Sequence, residues 1–201
     1  MPKQVDHDRR RADIAALAVE VIQREGAGSA TVRRISQQGG FSIGVITHYF
    51  RDKDELIASA FNWLADQSFL ALEQSLARAA PGRERLRAAL EFMVPSSGAR
   101  SHPAVWLSLW SGAMHNPQLA DVHRRYYRRW RRILARCVAE AVHRREVRAP
   151  RAGNDVVDLL AAGVDGLWLA VTFEGRRFSA ARRRQLVTNL MTAVLTLEDA
   201  R

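Results

Sequence analysis

The run from Thr31 to Leu56, TVRRISQQGGFSIGVITHYFRDKDEL, narrows the possible folds more than any other part of this chain. Val32 and Ile35 give a first short helix its apolar side, and Gly39-Gly40 can take the positive φ that ends it. Ser42 has the side chain of an N-cap for a second helix. There Val45 and Ile46 alternate with residues able to face outward, Ile43, Thr47 and His48, until Tyr49-Phe50 closes the helix against whatever lies behind it. Asp52, with Glu55 three places on, has the residue types of a capping box and opens a third helix.

Around this segment the pattern is helical throughout. Ile14, Leu17, Ala18, Val21 and Ile22 keep three-four spacing up to Gly26, a helix suited to back the two short ones. From Lys53 the period runs through Leu56, Ile57, Ala60, Phe61, Leu64, Phe69, Leu72 and Leu76 to Pro81-Gly82, about seven turns at 3.6 residues each. Further helices are expected at Glu84 to Met93, Pro103 to Met114, Gln118 to Arg145, Asp155 to Phe173 and Ser179 to Leu197, separated by Pro95-Ser96-Ser97-Gly98, Asn116-Pro117, the loop around Pro150 and Gly153, and Glu174-Gly175. No strand period, repeat or low-complexity tract appears. The expectation is an all-α chain of about nine helices, with residues 1-53 as one domain and 54-201 as a second, larger one.

No uninterrupted apolar run approaches the roughly 20 residues that span a bilayer, and MPKQVDHDRRR has no apolar signal core. A cytoplasmic protein without a membrane partner is expected. The single cysteine, Cys137, fits a reducing compartment and reads as a small buried apolar residue. The net charge of +10 suits a polyanionic partner, but its distribution weakens that inference: residues 1 to 55 carry nine Lys or Arg against eight acids, whereas Ala120 to Arg151 carries eleven Arg against three. In that second stretch Val122, Tyr126, Trp130, Ile133, Leu134, Cys137, Val138, Ala141 and Val142 take one side of a helix and most arginines the other, the pattern of a solvated face.

HYFRDK, the turn glycines and the spacing between them resemble the helix-turn-helix of the TetR family of bacterial transcription repressors. AVWLSLWSGAMHNPQL, VDGLWLA and GVITHYFRDK are similar to segments of its BetI-type subgroup, which senses choline or related compounds. The resemblance implies a DNA-reading head in which Ser42, Ile43, Gly44, Val45, Thr47 and His48 occupy the groove-facing helix or its edge. Thr31, Arg33, Arg34, Tyr49 and Lys53 then lie near phosphates or flanking bases. Many relatives carry Lys or Asn where this chain has Ile43, a side chain limited to apolar contact such as a thymine methyl.

The resemblance also implies a homodimer on a palindromic double-stranded DNA operator, with half-sites recurring at about 34 to 36 Å. The faces of the last two helices, including Leu160, Val164, Leu167, Leu186, Leu190 and Val194, suit either an intramolecular core or a four-helix interface with a second copy. Trp106 and Trp110, four apart, share a helix face; with Trp168 they form either ordinary core or a wall that holds a quaternary ammonium by cation-π attraction. Asp165 and Glu91 are the candidate counter-charges. Polyamines or hydrophobic effectors suit such a domain too.

No enzyme is expected: the histidines at 7, 48, 102, 115, 123 and 143 lack metal spacing, Cys137 lacks a nucleophile context, and Gly39-Gly40 and Gly44 make no phosphate loop, so no cofactor or metal is assigned. The leading expectation is a ligand-responsive repressor. Its rival is an arginine-rich architectural protein that binds DNA without sequence preference through Ala120 to Arg151.

Overall fold

A computed structural model describes residues 2–95, 102–150 and 153–197, with the side chains of 2–6 and 197 left aside. Nine α-helices account for nearly all of these residues: α1 Pro2–Glu25, α2 Val32–Gly39, α3 Ile43–Tyr49, α4 Lys53–Arg78, α5 Arg83–Met93, α6 Pro103–Ala113, α7 Pro117–His143, α8 Gly153–Glu174 and α9 Ala180–Val194. Most boundaries fall within a few residues of those expected. The first helix is the exception, extending back to Pro2 and carrying His7, Arg10 and Arg11 with it. One small departure from an all-helical chain is an antiparallel pairing of β1 Val147–Arg148 with β2 Thr196–Leu197, too short to show any two-residue period.

The chain divides into two compact units, Met1–Phe69 with His102–Tyr126, and Leu70–Ser101 with Tyr127–Arg201. In the first, α1 to α3, the first part of α4, α6 and the start of α7 enclose one core. Ile14, Ile22, Ile35, Ile46, Leu56 and Phe61 are fully buried there, and Phe50 nearly so. The α2–α3 turn follows from its glycines, in different ways. Gly40 alone is left-handed, φ 65°, and the N–H groups of Gly40 and Phe41 return to the carbonyls of Gln37 and Ser36, which closes a Schellman motif. Gly39 is needed for space instead: a Cβ there would come within 2.7 Å of Leu17 and Phe41.

In the second unit α8 packs on α5 and α9, while Tyr127 and Arg131 of α7 reach Asp165 and Asp158 of α8. Arg85 ties α5 to the end of α4 through the Leu76 carbonyl, 3.2 Å, and to Glu140 of α7, 2.9 Å. The segment Gly153–Arg177 reaches a mean hydropathy of 1.7, long and apolar enough by composition to cross a bilayer, which the search for an unbroken apolar run overlooks. Its partners explain one side of it: Val156, Leu160, Val164 and Trp168 are buried, and Asp158 and Asp165 engage α7.

This packing sorts the residues offered for a dimer face. Leu160, Val164 and Val194 are buried within the subunit; Leu167, Leu186 and Leu190 are half-buried; and the apolar side chains open to solvent on α8 are Leu159, Leu169 and Phe173. A helix with apolar residues on two sides does not reveal from spacing alone which side turns inward.

Candidate nucleic-acid interface

Two caps hold the head's short helices. Thr31 Oγ1 accepts the Arg34 N–H at 3.1 Å to start α2, and Ser42 Oγ accepts the Val45 N–H at 3.3 Å to start α3. Ile46 fills the inner side of α3 and Val45 is half-buried against the core, which leaves Ser42, Ile43, Gly44, Thr47 and His48 exposed along one outward face. Ile43 is 50 % exposed, an unusual position for isoleucine and consistent with an apolar partner in a groove. The Thr47 hydroxyl donates back to the carbonyls of Ile43, 3.2 Å, and Gly44, 3.3 Å, so what it offers outward is acceptor capacity.

The flanking cations fare differently. Arg33 is exposed and makes no ion pair among the described residues, and Lys53 stands exposed in the first turn of α4. Arg34 is held in a forked pair by Glu25 of α1, with Nε to Oε2 at 2.9 Å, so it braces the head rather than projecting from it. That contact also holds the Glu25 carboxyl below its ordinary range.

Residues near the start of α1 join this surface, and the expectations above do not include them. His7 lies 4.6 Å, ring to ring, from Tyr49 and 6.1 Å from His48, while Arg10 stacks its guanidinium 5.5 Å from the Phe41 ring centroid. Arg10, Phe41, Ser42, Gly44, Val45, His48 and Tyr49 line a hollow of about 600 Å³ beside the recognition face. The Arg10 guanidinium, the Tyr49 phenol and the Ser42 hydroxyl around an open concavity suit a phosphodiester. The signal in the sequence was the Arg9-Arg10-Arg11 run directly before the apolar period.

The N-terminus of α4 makes half of the expected capping box: Asp52 Oδ1 accepts the Glu55 N–H at 2.8 Å, but Glu55 Oε2 accepts the N–H of Arg51, the residue before the cap, at 2.9 Å. Asp52 is held below its ordinary pKa by the backbone N–H of Glu55 and the Arg51 guanidinium, and Glu55 by the Arg11 guanidinium and then the Arg51 N–H. Carboxyls whose folded values are depressed contribute stability above the unfolded range, near 4, and lose it as pH falls through the folded values. The thermal midpoint should therefore fall between about pH 5 and 3, and by less in a Glu55→Gln variant, as followed by circular dichroism.

Of the aromatic and acidic residues proposed for an effector, Trp106 and Trp110 belong to the first unit and are half-buried on α6; Trp106 stacks on Tyr126 at 4.5 Å, and Tyr126 on Phe69 at 5.1 Å. Trp168, Asp165 and Glu91 belong to the second. There Glu91 is paired with Arg87 at 3.2 Å, and Asp165 accepts a 2.7 Å hydrogen bond from the Tyr127 hydroxyl. Burial, with that hydrogen bond, pushes the Tyr127 hydroxyl well above its ordinary pKa. Tyr127 is thus a partner for Asp165 that helix periodicity did not single out.

Comparison with known proteins agrees with this layout. Residues 14–60 match the profile of bacterial regulatory proteins of the tetR family, and residues 81–196 match that of the BetI-type transcriptional repressor C-terminal region. The chain is 31 % identical to the HTH-type transcriptional regulator BetI of Escherichia coli K12, over 96 % of this chain and 97 % of that one. It is 30 % identical to BetI of Stenotrophomonas maltophilia, over 92 % and 93 %. A transcriptional regulator from Saccharomonospora viridis, solved in complex with choline, superposes with a TM-score of 0.84 at 24 % identity, covering 96 % of this chain and all of that one. A Rhodococcus regulator superposes at 0.78 with 26 % identity, over 90 % of this chain and 93 % of that one. The chain belongs to the TetR family of bacterial regulatory proteins, in its BetI-type branch, and is a DNA-binding transcriptional regulator rather than an enzyme.

Proposed function

We propose that this protein is a cytoplasmic, homodimeric repressor that binds a palindromic operator and answers to a small effector. The observation that carries the reading is the exposed, capped face of α3, where side chains able to reach base edges are flanked by Arg33, Tyr49 and Lys53. Ser42, Ile43, Gly44, Thr47 and His48 read the groove, with Val45 at its edge; Ile43 supplies apolar contact, and Thr47 accepts from an exocyclic amino group. Thr31, Arg33, Tyr49, Lys53 and Arg10 hold the backbone, and Arg34 acts through its brace to Glu25.

The effector is a small cation, a quaternary amine or polyamine. The likeness to a fold that holds choline supports this, as do the aromatic surfaces of Trp106, Trp110 and Trp168 and the carboxylate of Asp165. Glu91, being paired with Arg87, is the weaker counter-charge. Residues 1-53 serve as the DNA-binding domain and 54-201 as the effector and dimerisation domain, with α4 continuous from Lys53 to Arg78 as the mechanical link. An effector moves operator binding tenfold for each 1.4 kcal/mol or so by which it prefers one state of the dimer.

The rival reading, non-specific DNA binding through the arginine-rich stretch, is weakened by the acids that answer four of its eleven arginines: Asp121 for Arg124, Glu73 for Arg129, Asp158 for Arg131 and Glu146 for Arg144.

Mobility-shift titration tests the proposal. Tyr49→Ala and Lys53→Ala should weaken binding to all duplexes alike, and Lys53→Ala, which removes a charge, should also lower the salt slope by about 1. Thr47→Ala should change sequence preference by about 1–3 kcal/mol at one base position. Unchanged affinity in all three variants would refute the assigned head.

A further inference from the structure

We propose that Arg11, on α1, is the positioning residue that sets the attitude of the recognition helix against α4. Its guanidinium joins three pieces of chain: Nη1 donates to the Tyr49 carbonyl at the end of α3, Nη2 donates to Glu55 Oε1 at 2.6 Å and to Ser59 Oγ at 3.3 Å on successive turns of α4, and the planar group lies over the Phe50 ring at 4.5 Å. The second Glu55 oxygen holds the Arg51 N–H at 2.9 Å, so the link between the helices is gripped as well.

At seven residues, α3 is too short to keep a direction through its own hydrogen bonds. Its ends decide its pitch. Ser42 holds one, and Arg11 holds the other by meeting a terminal carbonyl that no residue further along the helix can serve. A planar fork of five donors meets a carbonyl, a carboxylate and a hydroxyl at once while stacking on a ring; a lysine ammonium does not. The neighbouring Arg10 points to the recognition-side hollow, whereas the Arg11 guanidinium is committed to groups within the head. The two adjacent arginines therefore have opposite signatures: Arg10 contributes affinity for any duplex, and Arg11 contributes discrimination between duplexes.

This inference rests on α3 being the recognition helix. The test uses a duplex selected by the wild-type protein from a randomised library, and a scrambled duplex of the same composition. Both are titrated between about 50 and 200 mM salt with wild type, Arg11→Gln, Arg11→Lys and Glu55→Gln, each below its thermal midpoint. In Arg11→Gln the preference for the selected duplex should fall about 10- to 100-fold, the equivalent of a mismatched base pair, with scrambled-duplex affinity and salt slope unchanged. Arg11→Lys and Glu55→Gln should show smaller losses of the same kind.

A salt slope that drops by about 1 would overturn the proposal by making Arg11 a phosphate contact. Parallel weakening on both duplexes would reduce Arg11 to a stabilising residue, and an unchanged preference would remove it from recognition. A wild type that selects no duplex defeats the reading of α3 itself, a result separate from any of these.

Discussion

A chain carrying Leu159→Asp and Phe173→Asp should elute as a single copy and bind its operator about 100-fold or more weakly than wild type, the loss expected when two linked heads become independent. Phe173 is 72 % exposed and Leu159 44 %, and Leu169 stands between them on the same helix. Ala162 and Gly166 are exposed on that side of α8, with no charged residue among them, a surface that a lone soluble subunit rarely leaves in water. A two-fold axis brings such a face against the same face of the second copy, so the new aspartates would gather like charges in one interface as well as remove apolar area. Both changes lie at exposed positions, which should leave the subunit's helix content intact, while melting falls by the stability that association had contributed. Light scattering gives the mass and fluorescence anisotropy the affinity. A variant that stays dimeric, or a single copy that binds as tightly as wild type, would refute this face.

Trp130→Ala should cost about 3–5 kcal/mol of folding free energy, lowering the thermal midpoint by roughly 10 °C. Trp130 is the largest fully buried side chain, set in α7 beside Ile133, Leu134 and Cys137. Its truncation leaves a cavity that helices tied to one another by Arg85–Glu140 and Tyr127–Asp165 cannot easily close. Trp130→Phe should be much milder, since the indole N–H has no acceptor among the described residues and phenylalanine forfeits mainly volume. Denaturant titration separates the two variants. A cost below about 1 kcal/mol for alanine would contradict the packing of α7.

Much of the head was legible because its determinants are local. Caps at Thr31, Ser42 and Asp52 act within three residues of themselves, and a glycine turn carries its own conformational signal. The pair Gly39-Gly40 shows where that stops: the positive φ belongs to Gly40, whereas Gly39 is crowded by Phe41 nearby and by Leu17, more than twenty residues away. Arg33 and Arg34 look equivalent in sequence, yet Glu25 holds one and leaves the other exposed. Arg10 and His7 went unseen as neighbours of α3 because α1 places them there only after folding. Tyr127 was hidden for the same reason: its relation to Asp165 spans 38 positions.

The order of residues was enough to determine a helical chain, the place of its recognition helix and the side chains that helix can present, since periodicity, capping and turn chemistry act over a few residues. Which apolar face of α8 closes the subunit and which stays exposed, which arginine braces and which reaches outward, and what holds the far end of α3 were decided only by tertiary packing. Those choices depend on charges and volumes brought together from distant parts of the chain, and no local pattern contains them.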